Sequence, residues 1–175
     1  MKKITVFGSS KCLPGDSEYV FAYNLGKRLG KCGFSVATGG YQGTMEAVSK
    51  GASEHPVEVV GYTVPSLFLG RDGGNKFITK EIATETLAER IGGLINDSAV
   101  IVALPGSIGT FTELLVIWNQ EYVKECNEMK ISHTIYLYEP FWKPIMENMP
   151  EDLNLPLDLL LYFKNIDDLI EQLES

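Results

Sequence analysis

Basic charge is scarce in this sequence. Lys and Arg number 15 against 23 Asp and Glu in 175 residues, a formal charge of −8, and no basic cluster exceeds two adjacent residues. A field of that sign repels a polyanion, so nucleic acid is not an expected partner. A single nucleotide stays admissible, because a local cradle of backbone N–H groups overcomes an unfavourable global charge. Cysteine is sparse too: Cys12, Cys32 and Cys126 are odd in number and lack metal-ligand spacing. They read as reduced thiols of a cytoplasmic protein, with no metal site expected. No signal-peptide pattern precedes the first expected strand, and no apolar run approaches the ~18 residues a membrane span needs, so no membrane partner is expected. With 45% hydrophobic and 22% charged residues, the composition is that of an ordinary globular protein. The length fits one nucleotide-binding Rossmann-like domain over residues 1–175.

What is present is an alternation. Lys3–Phe7 reads as a strand, Tyr19–Leu29 has helical spacing, Phe34–Thr38 is a second strand, and Thr44 to about Ala52 a second helix. Val57–Tyr62 supplies a third strand. Pro65–Asn75 follows, irregular and glycine-rich, as a candidate lid, with Arg71–Lys76 the part suited to closing over a bound base. A brief extended piece at Lys76–Lys80 precedes a helix over Ile82–Asn96, with Leu87, Ile91, Leu94 and Ile95 on its apolar face and Arg90 off it. Ala99–Leu104 is a fourth strand, Glu113–Cys126 a helix, Thr134–Tyr138 a strand, Phe141–Met149 a helix, Leu159–Phe163 a sixth strand and Ile166–Leu173 a last helix. Strands alternating with helices predict an α/β fold, a doubly wound parallel sheet with helices on both faces.

Open parallel sheets bind ligands outside the carboxyl ends of their strands, near the point where strand order reverses. Three loops fall there: Gly8-Ser9-Ser10, Gly39-Gly40-Tyr41-Gln42-Gly43, and Pro105-Gly106-Ser107-Ile108-Gly109-Thr110. Glycine admits close approach to the backbone, and the N–H groups of Ser107, Ile108, Gly109 and Thr110 open a helix, where an anion such as phosphate is favoured. Such turns often serve packing alone, but three on one edge favour a ligand. The Walker lysine and the GxGxxG fingerprint are both absent, so neither a P-loop NTPase nor a dinucleotide dehydrogenase is supported. Glu113 is expected in the first helical turn, where capping and the dipole also favour an acid. Beside a phosphate cradle a carboxylate makes chemical sense if it holds ribose hydroxyls or stabilises positive charge on a sugar. Arg90 is its natural counterweight, although alone it would read as a solvated helix arginine.

These residues resemble the LOG family, cytokinin-activating phosphoribohydrolases long mislabelled as lysine decarboxylases. The family hallmark PGGxGTxxE is matched by Pro105–Glu113 with one departure, Ser107; the second glycine motif by Gly39–Ala47; and the first loop by Phe7–Ser10. The family's arginine, fifteen residues before the hallmark proline, falls on Arg90. The resemblance implies hydrolysis of the N-glycosidic bond of a nucleoside 5′-monophosphate to free base and ribose 5-phosphate, without a metal or redox cofactor, with Arg90 and Glu113 as the catalytic pair. Where plant-like members carry Arg-Lys and a Ser-Asp pair, this chain has Arg90-Ile91 and Ser98-Ala99, and Glu46 replaces a usual glycine. Those departures resemble a broader branch whose members bind nucleotides or, in one case, carry molybdenum cofactor. The alternative to a hydrolase is therefore a non-catalytic carrier of a nucleotide or molybdenum cofactor, using the same cradle. A pyridoxal-phosphate decarboxylase is excluded by chemistry, since Lys11 is the only lysine in the three loops.

The remaining singular residues read as structural. His55 and His133 lack partners at ligand or triad spacing, nothing near Cys12 is placed to activate it, and Trp118 and Trp142 belong to helix packing. The helix face Leu114-Leu115-Ile117-Trp118 exceeds what one sheet contact requires and suggests a homodimer, which the resemblance also implies.

Overall fold

The computed structural model describes residues 2–68 and 73–175. Among these residues seven strands form one all-parallel sheet: β1 (Lys3–Phe7), β2 (Ser35–Thr38), β3 (Val59–Thr63), β4 (Lys80–Ala83), β5 (Val100–Ala103), β6 (Thr134–Tyr138) and β7 (Leu160–Phe163). Their spatial order is β4-β3-β2-β1-β5-β6-β7. The chain therefore winds outward from β1, returns to its other side at β5 and winds outward again. The gap above β1 and β5 is the switch point, and the expected doubly wound sheet is the one observed.

Among the described residues six α-helices cover the sheet: α1 (Ser17–Lys31), α2 (Thr44–Ala52), α3 (Leu87–Asn96), α4 (Ile108–Cys126), α5 (Glu139–Glu147) and α6 (Ile166–Glu174). Ile4 and Val6 of β1 pack with Ala22, Leu25, Val48 and Leu169 of α1, α2 and α6 on one face. Phe7 packs with Leu94, Leu114, Ile117 and Trp142 of α3, α4 and α5 on the other. The strand period of two sends alternate residues to opposite cores, as a sheet covered on both faces requires. Gly26 and Gly30, one turn apart on α1, lie against the α2 carbonyls of Val48 and Ala52, so the two helices cross at backbone contact.

Several boundaries differ from the sequence expectation by one to three residues, and three differences bear on the site. The extended piece lies at Lys80–Ala83, not Lys76–Lys80, and it is an edge strand whose Ile82 pairs with Tyr62 of β3, so the next helix starts at Leu87 and not at Ile82. Its start is set by a capping box in which Thr86 accepts from the Glu89 N–H and Glu89 accepts from the Thr86 N–H. Leu87, expected on the apolar face, is 41% exposed at that first turn, whereas Arg90 is buried. Helix α4 begins at Ile108, five residues earlier than expected, which moves Glu113 out of the first turn and into the second. Of the expected lid, residues 69–72 lie outside the described residues.

Candidate active site

The three glycine loops meet at the carboxyl edge of the sheet and are bonded to one another. The Ser9 N–H donates to the Pro105 carbonyl, and the Ser9 carbonyl accepts from the Thr44 N–H at the start of α2. One peptide segment thus fixes the first loop to both of the others. Gly43, with φ +73, would place a side chain onto the Ser9 and Ser10 backbone, so only glycine fits there. Gly8 and Gly106 are likewise filled against, by Thr44 and Thr110 respectively. These glycines answer to the chain's own packing.

Gly109 does not. A methyl group there would meet nothing within 4 Å, and its φ is not positive. It is the second residue of α4, and the Ser107 side chain makes no cap bond to the helix N–H groups that follow. The uncapped N–H groups and the bare glycine form a concave, electropositive surface of the kind that holds a phosphate.

That surface is one wall of a cleft of about 210 Å³ lined by Gly8, Ser10, Tyr41, Met45, Phe68, Arg90, Ser107, Gly109, Thr110 and Glu113. In the same cleft Arg90 Nη1 donates to Glu113 Oε1, one turn further along α4, at 2.9 Å, with both side chains buried. Arg90 Nε donates to the Tyr62 carbonyl at 2.8 Å and Nη2 to the Gly39 carbonyl at 3.2 Å, while the guanidinium lies 5.7 Å from the Tyr41 ring centre. Gly39 is obligatory, because a methyl group would overlap Arg90 Nη2. Glu113 Oε2 takes no hydrogen bond from the described residues. Burial pushes the Glu113 carboxyl above the ordinary carboxylate range, and the attraction and hydrogen bond of Arg90 offset this only in part. A carboxylate anchored by one oxygen, with the other spare, suits hydroxyl groups and developing positive charge.

Most of the expected site residues thus converge on one cleft. Gly39, Gly40 and Gly106 form its supporting backbone. Ser9 turns to a neighbouring hollow, where its hydroxyl accepts from the Lys11 N–H, and Ile108 points outward at 79% exposure. The first-turn placement of Glu113 is overturned, and with it any capping explanation. Tyr41, Met45 and Phe68 escaped the sequence reading. Tyr41 and Met45 sit inside a motif already singled out, whereas Phe68 lies in the aperiodic Pro65–Asn75 stretch, read only as a candidate lid.

Two residues read as bland behave differently from one another. Cys12 is buried, and that burial pushes its thiol up, which keeps it inert. His133, expected to lack a partner, has one: its Nδ1 lies 2.7 Å from Oε1 of the buried Glu121, which also accepts from Lys124 Nζ and the Ser132 N–H. The sequence separation of 12 hides that contact. No group of three or more His, Cys, Asp or Glu among the described residues could hold a metal ion.

An all-parallel doubly wound sheet with a polar cleft at its switch point is a Rossmann-like α/β architecture. Within that class the chain belongs to the SLOG cluster4 family, whose sequence model matches residues 1–135. It is 32% identical over 85 residues to a cytokinin riboside 5′-monophosphate phosphoribohydrolase of Mycobacterium marinum, covering 49% of this chain and 45% of that protein. It is 28% identical over 109 residues to a pyrimidine/purine nucleotide 5′-monophosphate nucleosidase of Escherichia coli K12, covering 58% of this chain and 24% of the other. The matches thus span less than half the length of these relatives. Among solved structures, the molybdenum cofactor carrier protein of Chlamydomonas reinhardtii superposes with a TM-score of 0.74 at 22% identity, covering 99% of this chain and 96% of that one. At that identity the likeness speaks for the fold alone.

Proposed function

We propose that the protein hydrolyses the N-glycosidic bond of a nucleoside 5′-monophosphate, releasing free base and ribose 5-phosphate. The observation that carries this is the buried Arg90–Glu113 pair, which leaves Glu113 Oε2 spare in the same cleft as the uncapped start of α4. The names of the relatives support the substrate class.

In this reading the 5′-phosphate sits on the N–H groups of Ser107–Thr110 and contributes binding energy remote from the reacting bond. Glu113 Oε2 accepts from the ribose hydroxyls and stabilises the oxocarbenium-like charge that grows as the bond to the base stretches. Water supplies hydroxide to C1′ and a proton to the departing base nitrogen. Arg90 fixes Glu113 and keeps one Nη1 proton uncommitted for the base. Because the ionised form of Glu113 is the useful one and burial raises its pKa, activity should climb with pH along a limb lying above the ordinary carboxylate range.

The test is incubation with a panel of nucleoside 5′-monophosphates, assaying free base and ribose 5-phosphate for wild type and Glu113→Gln. Release by wild type, reduced about 100-fold or more in the variant, supports the reading. No release, with saturable ligand binding by both proteins, assigns the cleft to a non-catalytic carrier of a nucleotide or molybdenum cofactor. We further propose that the protein acts as a homodimer through α4, in a reducing compartment such as the cytoplasm where Cys12, Cys32 and Cys126 stay unpaired. Among the described residues, no helix is long and apolar enough to cross a membrane.

A further inference from the structure

The connection between β3 and β4 carries a side chain committed to the second glycine loop. Asn75 Nδ2 donates to the Gly40 carbonyl at 3.1 Å and to the Tyr41 carbonyl at 3.0 Å, while the Asn75 backbone N–H donates to the same Gly40 carbonyl at 2.6 Å. Its Oδ1 accepts from the Phe77 N–H, which fixes the orientation of the amide. All the hydrogen-bonding capacity of this side chain except one oxygen lone pair is therefore spent within the clasp. The clasped residues adjoin those that hold the guanidinium. Gly39 gives its carbonyl to Arg90 Nη2, and Tyr41 lays its ring over Arg90 while its hydroxyl accepts from the Val64 N–H. Close approach is built in on both sides: Gly40 has φ +74, and a methyl group on Gly61 of β3 would crowd Gly40 Cα.

We propose that Asn75 is a positioning residue for the catalytic pair: by clasping the carbonyls of Gly40 and Tyr41 it sets the loop that places Arg90, and through Arg90 the carboxylate of Glu113. It touches neither of them. Asparagine is required rather than aspartate because two N–H donors face two carbonyls, and a carboxylate there would oppose both. The kinetic part of this inference rests on the proposed nucleotide hydrolysis; the geometric part does not.

The sequence has three arginines, Arg28, Arg71 and Arg90. The buried Nε–H of Arg90, bonded to the Tyr62 carbonyl, should give a protected 1H–15N correlation, assigned by eliminating the other two with Arg28→Lys and Arg71→Lys. Asn75→Asp and Asn75→Ser are compared with Thr79→Ala, a control on the same connection whose hydroxyl bonds only the Val59 backbone. The expected result is that both Asn75 variants move or broaden the Arg90 signal while Thr79→Ala leaves it in place. With a nucleotide that wild type hydrolyses, kcat should fall about 10- to 100-fold in the Asn75 variants and KM by less than about threefold either way. Binding of inorganic phosphate should be retained. A lowered melting temperature with an Arg90 signal like that of the control would overturn the proposal, reducing Asn75 to a loop staple. If wild type hydrolyses no nucleotide, the functional reading fails, and the Arg90 signal still decides on the clasp. Asn75→Ser removes the amide donors without adding charge, so it serves should Asn75→Asp not fold.

Discussion

Gly106 and Gly109 stand three residues apart in one loop, and a methyl group added at each meets opposite surroundings. At Gly106 it overlaps Thr110, whereas at Gly109 it meets only open cleft. Gly109→Ala should therefore raise the unfolding free energy by up to about 1 kcal/mol, the usual gain for replacing a helical glycine. The same methyl group occupies the space a phosphate needs, so affinity for ribose 5-phosphate should fall about 10-fold or more. Chemical denaturation and calorimetric titration read the two effects separately; a stabilised protein with unchanged affinity would place the phosphate elsewhere. At Gly39 the added carbon strikes Arg90 Nη2 and Met45 Sδ, and Gly39→Ala should abolish turnover while weakening phosphate binding less, since it meets no atom of the first turn of α4. Residue types were legible at this scale but partners were not. Arg90 and Glu113 stand out by motif and spacing, whereas the carbonyls of Tyr62 and Gly39 that hold Arg90 are backbone groups with no side-chain signature. Asn75 is hidden for the same reason, since its targets are the carbonyls of Gly40 and Tyr41.

At the scale of elements, the far end of α4 is tied down by charge. Burial alone would raise the Glu121 carboxyl, but hydrogen bonds from Lys124, His133 and the Ser132 and His133 N–H groups outweigh it and hold it at about 2. A carboxylate whose folded pKa is depressed from 4.5 to about 2 contributes stability that is fully present above 4.5 and is lost as pH falls toward 2. The shift corresponds to roughly 3 kcal/mol. Urea denaturation across that interval should show most of this loss in wild type, and a flatter curve in Glu121→Gln, which is already weakened at neutral pH. Equal slopes for the two proteins would deny Glu121 this role. Element types were legible where apolar residues run together in a short bounded stretch, as in the β1 and β5 strands. The edge strand β4 is mostly exposed, and Lys80-Glu81-Ile82-Ala83 carries no clear alternation. Only its pairing with β3 makes it a strand, and so its neighbour's start was misplaced although the Thr86–Glu89 capping box was there to be read.

For the molecule as a whole, the proposed homodimer would have to bring together two chains that each carry a charge of −8. Leu114, Ile117 and Trp118, which the sequence offered for that contact, are buried in the chain's own core, so the pattern that suggested a homodimer is largely explained by the sheet. What remains is the other side of α4. Leu115, Val116, Tyr122 and Val123 are all at least 40% exposed, and every exposed or half-buried residue from Ile108 to Val123 is uncharged; the two acids in that stretch, Glu113 and Glu121, are buried. On a strongly acidic surface an uncharged apolar stripe is where two like-charged copies approach at least electrostatic cost, and a two-fold axis would lay it against itself. The expected mass in light scattering is twice 19.4 kDa, falling to 19.4 kDa for Leu115→Lys with Val123→Lys. Because the subunits repel through their net charge while the stripe itself carries none, added salt should tighten the dimer, the reverse of an interface built on ion pairs. A wild-type protein that stays at 19.4 kDa at every ionic strength would leave the stripe without a self-partner, and a dimer untouched by the two lysines would place the axis elsewhere.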